Sequence, residues 1–222
     1  MRFVDRRQAG EQLGRRLMEQ PSESQGSLPH PFVLALPRGG VPVAAEVARA
    51  LEAPLDVLVV RKIGVPGRPE TGIGAIVGDD PPLFDQRALG MLGLTEDQLA
   101  PDVARERAEL KRRALLYRGD RPTADVHDRC VVVVDDGLAT GATARAALRH
   151  LRRLEPARLI LAVPVCAPGT ATGMRSEADD VVWLRQPPDF GAVGYWYDDF
   201  EQVSDAEVIE ILDRHRTSAH RV

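Results

Sequence analysis

A chain of 222 residues and 24.3 kDa is long enough to bury a core of its own as one domain. With 44% hydrophobic and 28% charged residues it has an ordinary globular composition, and a formal net charge of −4 gives no bulk attraction to nucleic acid. No apolar run approaches the ~18 residues of a membrane span, and Met1 to Arg7 lack the apolar core of a signal peptide, so a cytoplasmic protein is expected. Cys130 and Cys166, far apart inside apolar runs, read as small core residues. Arginines outnumber lysines 27 to 2, so Lys62 and Lys111 draw notice.

Asp5 with Gln8 makes a capping-box pattern, and Ala9, Leu13 and Leu17 predict an amphipathic helix ending near Gln20. A polar loop, 21–31, precedes a short apolar strand, Phe32 to Leu36. Pro37-Arg38-Gly39-Gly40 breaks it, and a helix follows from Val41 to Leu51. Leu55 to Val60 reads as a second buried strand, Arg61 to Gly72 as a loop rich in glycine and proline, and Ile73 to Val77 as a third strand. Asp79 to Gln86 predicts turns and a short edge strand. Thr95 with Gln98 is a second capping box. It opens a charged helical stretch to about Tyr117 that Pro101 should divide.

Beyond it come a valine strand, Cys130 to Val134, and a helix, Ala142 to Leu154. A strand from Leu159 to Val165, a helix from Gly169 to Ser176 and a strand from Val181 to Leu184 follow. Ser204 caps a last helix, Asp205 to His215. Near-continuous Val/Ile/Leu strands alternating with helices predict an α/β fold, a parallel sheet covered on both faces. Ligands of such sheets bind beyond the carboxyl ends of the strands.

The segment Val131 to Thr143 falls at such an end. Four valines drive a buried strand, two adjacent carboxylates emerge from it, and a turn with two threonines leads straight into a helix. Backbone N–H groups converging at a helix N-terminus suit a phosphate, and paired carboxylates accept hydrogen bonds from a diol. A ribose 5-phosphate has both. Taken singly, each residue is also what a capped strand-to-helix turn would carry.

Together these thirteen residues resemble the signature of the type I phosphoribosyltransferases: four hydrophobic residues, two acids, and a loop ending Thr-Gly-x-Thr. The likeness extends over roughly residues 30 to 200 and implies that family's three-layer parallel-sheet fold, here one domain over 1–222. It implies that Asp135 and Asp136 hold the ribose hydroxyls. Gly137, Leu138, Ala139, Thr140, Gly141, Ala142 and Thr143 would hold the 5-phosphate. Pro37, Arg38, Gly39 and Gly40 occupy the place of the family's pyrophosphate loop, and Arg61 to Gly72 that of a mobile loop closing over the substrate. Arg61 and Lys62, directly after a buried strand, would be costly cations unless solvent or phosphate met them; with Asp136 they are the candidate catalytic residues. Glu70 is placed to pair with either cation.

The resemblance implies a salvage-type transfer of a phosphoribosyl group from phosphoribosyl diphosphate to a nitrogenous base. Pyrophosphate leaves, and Mg²⁺ bridges it to the ribose hydroxyls. Val193, Tyr195 and Trp196, followed by Asp198, echo the base-binding and metal-contacting segment of hypoxanthine-guanine members; Phe190 and Tyr197 are further stacking candidates, with core packing as the alternative. Ala139 stands where those members place an acid in contact with the base, which argues against hypoxanthine or guanine unless another group, Asp198 or Glu70, moves the proton. The expected partners are therefore phosphoribosyl diphosphate and a small base, with neither nucleic acid nor membrane. Residues 79–125 depart from compact family members; the apolar stripe Leu110, Ala114, Leu115 and Tyr117 suggests an insertion serving as a hood or a homodimer contact rather than a solvated face. The alternative function is a non-catalytic regulator that binds the same donor.

Overall fold

The computed structural model describes residues 1–19 and 30–219, so most of the 21–31 loop lies outside the described residues. The first half of the chain forms α1 (Arg6–Glu19), β1 (Pro31–Ala35), α2 (Gly40–Ala50), β2 (Leu55–Val57), β3 (Val60–Val65), β4 (Arg68–Val77), β5 (Leu83–Phe84), α3 (Gln86–Leu92) and α4 (Ala100–Arg118). The second half forms β6 (Cys130–Val134), α5 (Ala142–Arg152), β7 (Arg158–Val165), α6 (Thr170–Met174), β8 (Asp180–Arg185) and α7 (Asp205–Ala219).

Five strands make one sheet in the order β2-β1-β6-β7-β8, and every neighbouring pair is parallel. The valine run shows why. Cys130, Val132 and Val134 of β6 point into a core shared with α1, α2, α4 and α7, while Val131 and Val133 point into a second core with α5 and α6. Both faces are covered, so both alternate sets must be apolar. From β1 the chain winds outward to β2, and from β6 the other way to β7 and β8. The direction of winding therefore reverses between β1 and β6, which is where an open α/β sheet leaves its ligand crevice.

Three expectations need correction. The strand expected over Leu55–Val60 stops at Val57, and residues 61–72 are not a loop. β3 and β4 pair antiparallel as a hairpin, which with β5 forms a separate three-stranded sheet. Glycine and proline content suggests irregular backbone, but much of it serves one tight connection, Pro66-Gly67, with Gly67 at φ +77°. Ile73–Val77 is accordingly part of β4 and not of the parallel sheet. Residues 87–94, for which the sequence reading gives no element, hold most of α3.

The stretch 79–125 packs on the same body. Thr95 and Gln98 exchange the expected capping-box hydrogen bonds, at 2.8 and 3.3 Å. Pro101 sits in the first turn of α4, after a 3-10 turn at Asp97–Leu99. Leu99, Leu110 and Tyr117 bury into the core that holds α2, whereas Leu115 points outward, 58% exposed, so the apolar stripe is narrower than expected. Much of the charge on α4 is matched along the helix, Arg105 by Asp102 and both Arg112 and Arg113 by Glu109. The two arginine hydrogen bonds hold the Glu109 carboxyl down at about 2. No described helix is long and apolar enough to cross a membrane.

Candidate functional site

At the reversal point β1 and β6 run side by side, Ala35 opposite Val134, and the Leu36 N–H extends the pairing by donating to the Val134 carbonyl at 2.9 Å. The loops leaving these two strands are thus forced against each other. A Cβ on Gly39 would stand 2.0 Å from Asp136 Oδ2, and one on Gly40 would stand 2.7 Å from the Val134 carbonyl oxygen. No residue with a side chain could occupy Gly39 while Asp136 keeps its place. The structure therefore brings the expected pyrophosphate loop and the expected ribose acids into contact.

The N–H groups of Arg38 and Gly39 donate to no backbone carbonyl among the described residues, while those of Gly40 and Val41 donate to Leu36 and Arg38 at 3.1 Å. The Pro37–Arg38 peptide is cis. The Arg38 guanidinium lies 3.7 Å from Asp205 at the start of α7, whose carboxylate also accepts a 2.5 Å hydrogen bond from the Tyr117 hydroxyl of α4. Burial and that carboxylate push Tyr117 up to about 12, so its hydroxyl remains a donor.

Asp135 and Asp136 are mostly enclosed. The Asp136 N–H donates to Asp135 Oδ1 at 2.9 Å, and the Asp136 carbonyl accepts from the Tyr197 hydroxyl at 2.6 Å. Arg6 Nε donates to Asp136 Oδ2 at 2.9 Å. Desolvation raises both carboxyl groups, Asp135 most, with Asp136's charge raising it further; Arg6 offsets part of the rise at Asp136. Two carboxyl groups lie by one guanidinium, an excess of negative charge that a bound cation would offset. No group of three or more His, Cys, Asp or Glu among the described residues is arranged to hold a metal ion. Asp198 is exposed and outside any such group. The acid pair, with one guanidinium against two carboxyl groups, fits a cation in charge, and Asp135 and Asp136 are the residues that would lie beside it.

The loop after the acids divides in two. Leu138, expected at the 5-phosphate, turns its side chain into the core at 2% exposure, and its N–H donates to the Val165 carbonyl at 2.9 Å. It therefore anchors the loop and offers nothing to an anion. By contrast, the N–H groups of Ala139, Thr140, Gly141 and Thr143 donate to no backbone carbonyl among the described residues. Gly141 caps α5 at φ +75°, a left-handed conformation that glycine adopts without strain, and the position faces Met174 and Thr170 too closely for a side chain. The Ala139 carbonyl is held by the Thr170 hydroxyl at 2.8 Å. Free donors at the N-terminus of a helix are the required geometry for a phosphate.

The hairpin cations are not the unpaired couple that was expected. Arg61 gives two hydrogen bonds, 2.9 and 2.7 Å, to Glu106 of α4. Lys62 projects from the other face of β3, its stem against Gly72, and has no ion-pair partner among the described residues. The pairing foreseen for Glu70 lies outside the described residues, since that side chain is not described.

The 193–198 segment is drawn in as well. Val193 packs so closely on Gly137 that a Cβ there would lie 2.5 Å from Val193 Cγ1. Tyr195, 66% exposed, lays its ring over Gly191. Trp196 is half-buried, with its indole N–H on the Phe190 carbonyl at 2.8 Å. Phe190 and Tyr197 are buried, which removes both as stacking candidates.

The residues missed from sequence are Arg6, Tyr117, Glu106 and Asp205. Arg6 had a signal: it lies on the helix face of Ala9, Leu13 and Leu17, a charge where the period calls for an apolar residue. The others act across the fold, and no local pattern marks them.

Fold and loops together are those of a doubly wound α/β protein with its glycine and acid loops gathered at the switch point. The chain belongs to the phosphoribosyl transferase domain family, whose profile matches residues 4–198. A Mycobacterium tuberculosis protein, provisionally named a phosphoribosyl transferase in strains H37Rv and CDC 1551, is 43% identical over 221 residues. The match covers 99% of this chain and 47% of that protein, so the chain spans about half the length of these curated relatives. The crystal structure of TT1426 from Thermus thermophilus is 44% identical, with a TM-score of 0.79 over 96% of this chain and 98% of that one. AQ2163 from Aquifex aeolicus, 11% identical with a TM-score of 0.50 over 84% and 78% of the two chains, shares the fold alone.

Proposed function

We propose that the chain transfers a 5-phosphoribosyl group from phosphoribosyl diphosphate to a nitrogenous base. The observation that carries this reading is the contact of Gly39 with Asp136 beside the free N–H groups at the start of α5. It supports a reading in which donors for a diphosphate, acceptors for a diol and donors for a 5-phosphate share one crevice. The C1–O bond to diphosphate breaks, a C1–N bond to the base forms, and the base gives up a proton.

Asp135 and Asp136 orient the ribose and favour the positive charge that builds on its ring. The N–H groups of Arg38 and Gly39, with the Arg38 and Lys62 cations, stabilise the charge growing on the leaving group. Asp135 and Asp136 would be the carboxylates beside a magnesium ion, which when bound would supply neutralisation of the diphosphate charge. Arg61, already matched by Glu106, anchors the hairpin that carries Lys62. Val193, Tyr195 and Trp196 border the base, with Tyr195 the exposed ring for stacking. Ala139 carries no proton-transfer group, so a 6-oxopurine acceptor would need one from elsewhere. Residues 79–125 belong to the same single domain and serve as a brace for the hairpin rather than as a separate unit.

Incubation with donor, Mg²⁺ and a panel of purine and pyrimidine bases, read by pyrophosphate release, is expected to give turnover with at least one base. Donor binding with no release on any base would instead make the chain a donor-binding regulator.

Acid should weaken donor binding early. Both carboxyl groups are raised in the folded chain, so the acceptors of the diol are lost as pH falls through values above the ~3.9 of an ordinary aspartate. Calorimetric titration of the donor against pH, with inorganic pyrophosphate as reference for phosphate ionisation, is expected to show an extra loss whose midpoint exceeds that value. A midpoint at or below it would contradict the burial of the pair.

A further inference from the structure

Arg6 is the one basic side chain that the hydrogen bonds and ion pairs of the described residues place on the acid pair. It arrives from α1, about 130 residues away in sequence, and its side chain is only 10% exposed. Burying a guanidinium is costly unless each part of it is used, and here the parts divide cleanly. Nε holds Asp136 Oδ2, Nη1 donates to the Glu201 carbonyl at 2.8 Å, and the flat face lies over Phe200 with 3.8 Å from Cζ to the ring centroid.

The element that brings Arg6 there is itself fastened to the far end of the chain. The Phe3 N–H donates to the Trp196 carbonyl, and the Phe3 and Val4 carbonyls accept from the Asp198 and Asp199 N–H groups, at 2.8, 2.8 and 2.9 Å. Tyr197, stacked on Phe200 with centroids 5.1 Å apart, reaches the Asp136 backbone through its hydroxyl. Asp136 is therefore gripped at its carbonyl by Tyr197 and at Oδ2 by Arg6. Among the described residues, the hydrogen bond that another residue gives to this carboxylate falls on Oδ2 and not on Oδ1.

We propose that Arg6 is a positioning residue of the donor site: it fixes Oδ2 of Asp136 so that Oδ1 is presented to a ribose hydroxyl. This rests on the donor-site reading above. The arrangement suits an arginine, because a lysine lacks the rigid planar fork that aims separate nitrogens at Asp136 and Glu201 and has no flat face to stack on Phe200.

The test compares two ligands on the full chain by calorimetry with Mg²⁺, phosphoribosyl diphosphate and inorganic pyrophosphate, of which only the first carries a diol. Arg6→Gln is expected to weaken the sugar donor about 10- to 100-fold, the scale of a lost charge-assisted hydrogen bond, and to leave pyrophosphate affinity unchanged. Arg6→Lys, keeping the cation on Asp136 alone, should recover part of the loss. Phe200→Leu, which removes only the ring beneath the guanidinium, should shift donor affinity in the same direction by less and serves if Arg6→Gln does not fold. Unchanged donor affinity in Arg6→Gln, or equal loss of both ligands, would overturn the role of Arg6. A wild-type chain that binds neither ligand would instead remove the donor site itself.

Discussion

Replacing Asp135 and Asp136 together by asparagine is expected to weaken phosphoribosyl diphosphate binding by three to four orders of magnitude, in effect abolishing it. Each carboxylate accepts a hydroxyl hydrogen bond to a charged group, and two such bonds at ~1.5–3 kcal/mol each account for that scale. The variant should nevertheless fold, since asparagine matches the shape of aspartate. For Asp135 alone the effect on stability should even be favourable. Its carboxyl is raised in the folded chain, so the stability it contributes is complete below the unfolded value and is lost as pH climbs through the folded one. At neutral pH the charged form is therefore a burden on the fold, and Asp135→Asn should unfold at a higher temperature than wild type while losing donor affinity. Calorimetric binding combined with thermal unfolding at pH 7 checks both. Donor affinity unchanged in the double variant would sink the site assignment.

A methyl group at Gly39 should do comparable damage for a steric reason. Gly39 has φ −58°, a conformation alanine adopts freely, so Gly39→Ala introduces no backbone strain. Its Cβ would stand 2.0 Å from Asp136 Oδ2 and 2.7 Å from Asp136 Cγ. Either the pyrophosphate loop backs away or the carboxylate is driven off Arg6, and both separate the diphosphate donors from the diol acceptors. Overpacking of this kind costs ~1–3 kcal/mol in stability, and affinity for phosphoribosyl diphosphate should fall at least ~100-fold because geometry is lost at two subsites at once. Gly90→Ala is the matched control: it lies inside α3 with nothing within 4 Å of the added carbon, and binding should be untouched. Wild-type affinity in Gly39→Ala would show that the two loops do not act together.

What is legible in the sequence follows a physical division. The parallel sheet can be read because both faces of its strands are buried, which demands uninterrupted apolar runs such as 130–134 and 159–165. The acid and glycine loops can be read because their chemistry is packed into consecutive residues. The hairpin cannot. Its strands are exposed over much of their length, with Lys62 and Thr71 on the surface, so the alternation that marks a strand is diluted by glycines placed for turning and close packing. The helix α3 does leave a signal, a cap at each end. Asp85 accepts from the Arg87 and Ala88 N–H groups at 3.0 Å each, and Gly93 ends the helix at φ +64°. The partners of the site cations are out of reach for a different reason. Glu106 meets Arg61 across 45 positions and Arg6 meets Asp136 across 130, distances at which only the folded chain specifies a pair.

Among the described residues, the hairpin's ion pairs and side-chain hydrogen bonds gather near its root. Near its root the Asp80 carboxylate takes His150 and Arg153, the latter just past α5, the Gly78 and Asp80 carbonyls accept from Arg107 of α4, and Arg61 is clasped by Glu106. Past Ile63 the strand register slips twice, at Gly64 and Val65, and the bulges break the even ladder that would carry stiffness outward. The polar clamp thus lies around Val60–Ile63, and beyond the slips Val65 still packs on the core shared with α2. Lys62 sits on the clamped side, one residue inside the last firm rung. A ligand that bends the ribbon past the register slips would leave the lysine's own footing in place, so the ammonium is set by the frame of the protein.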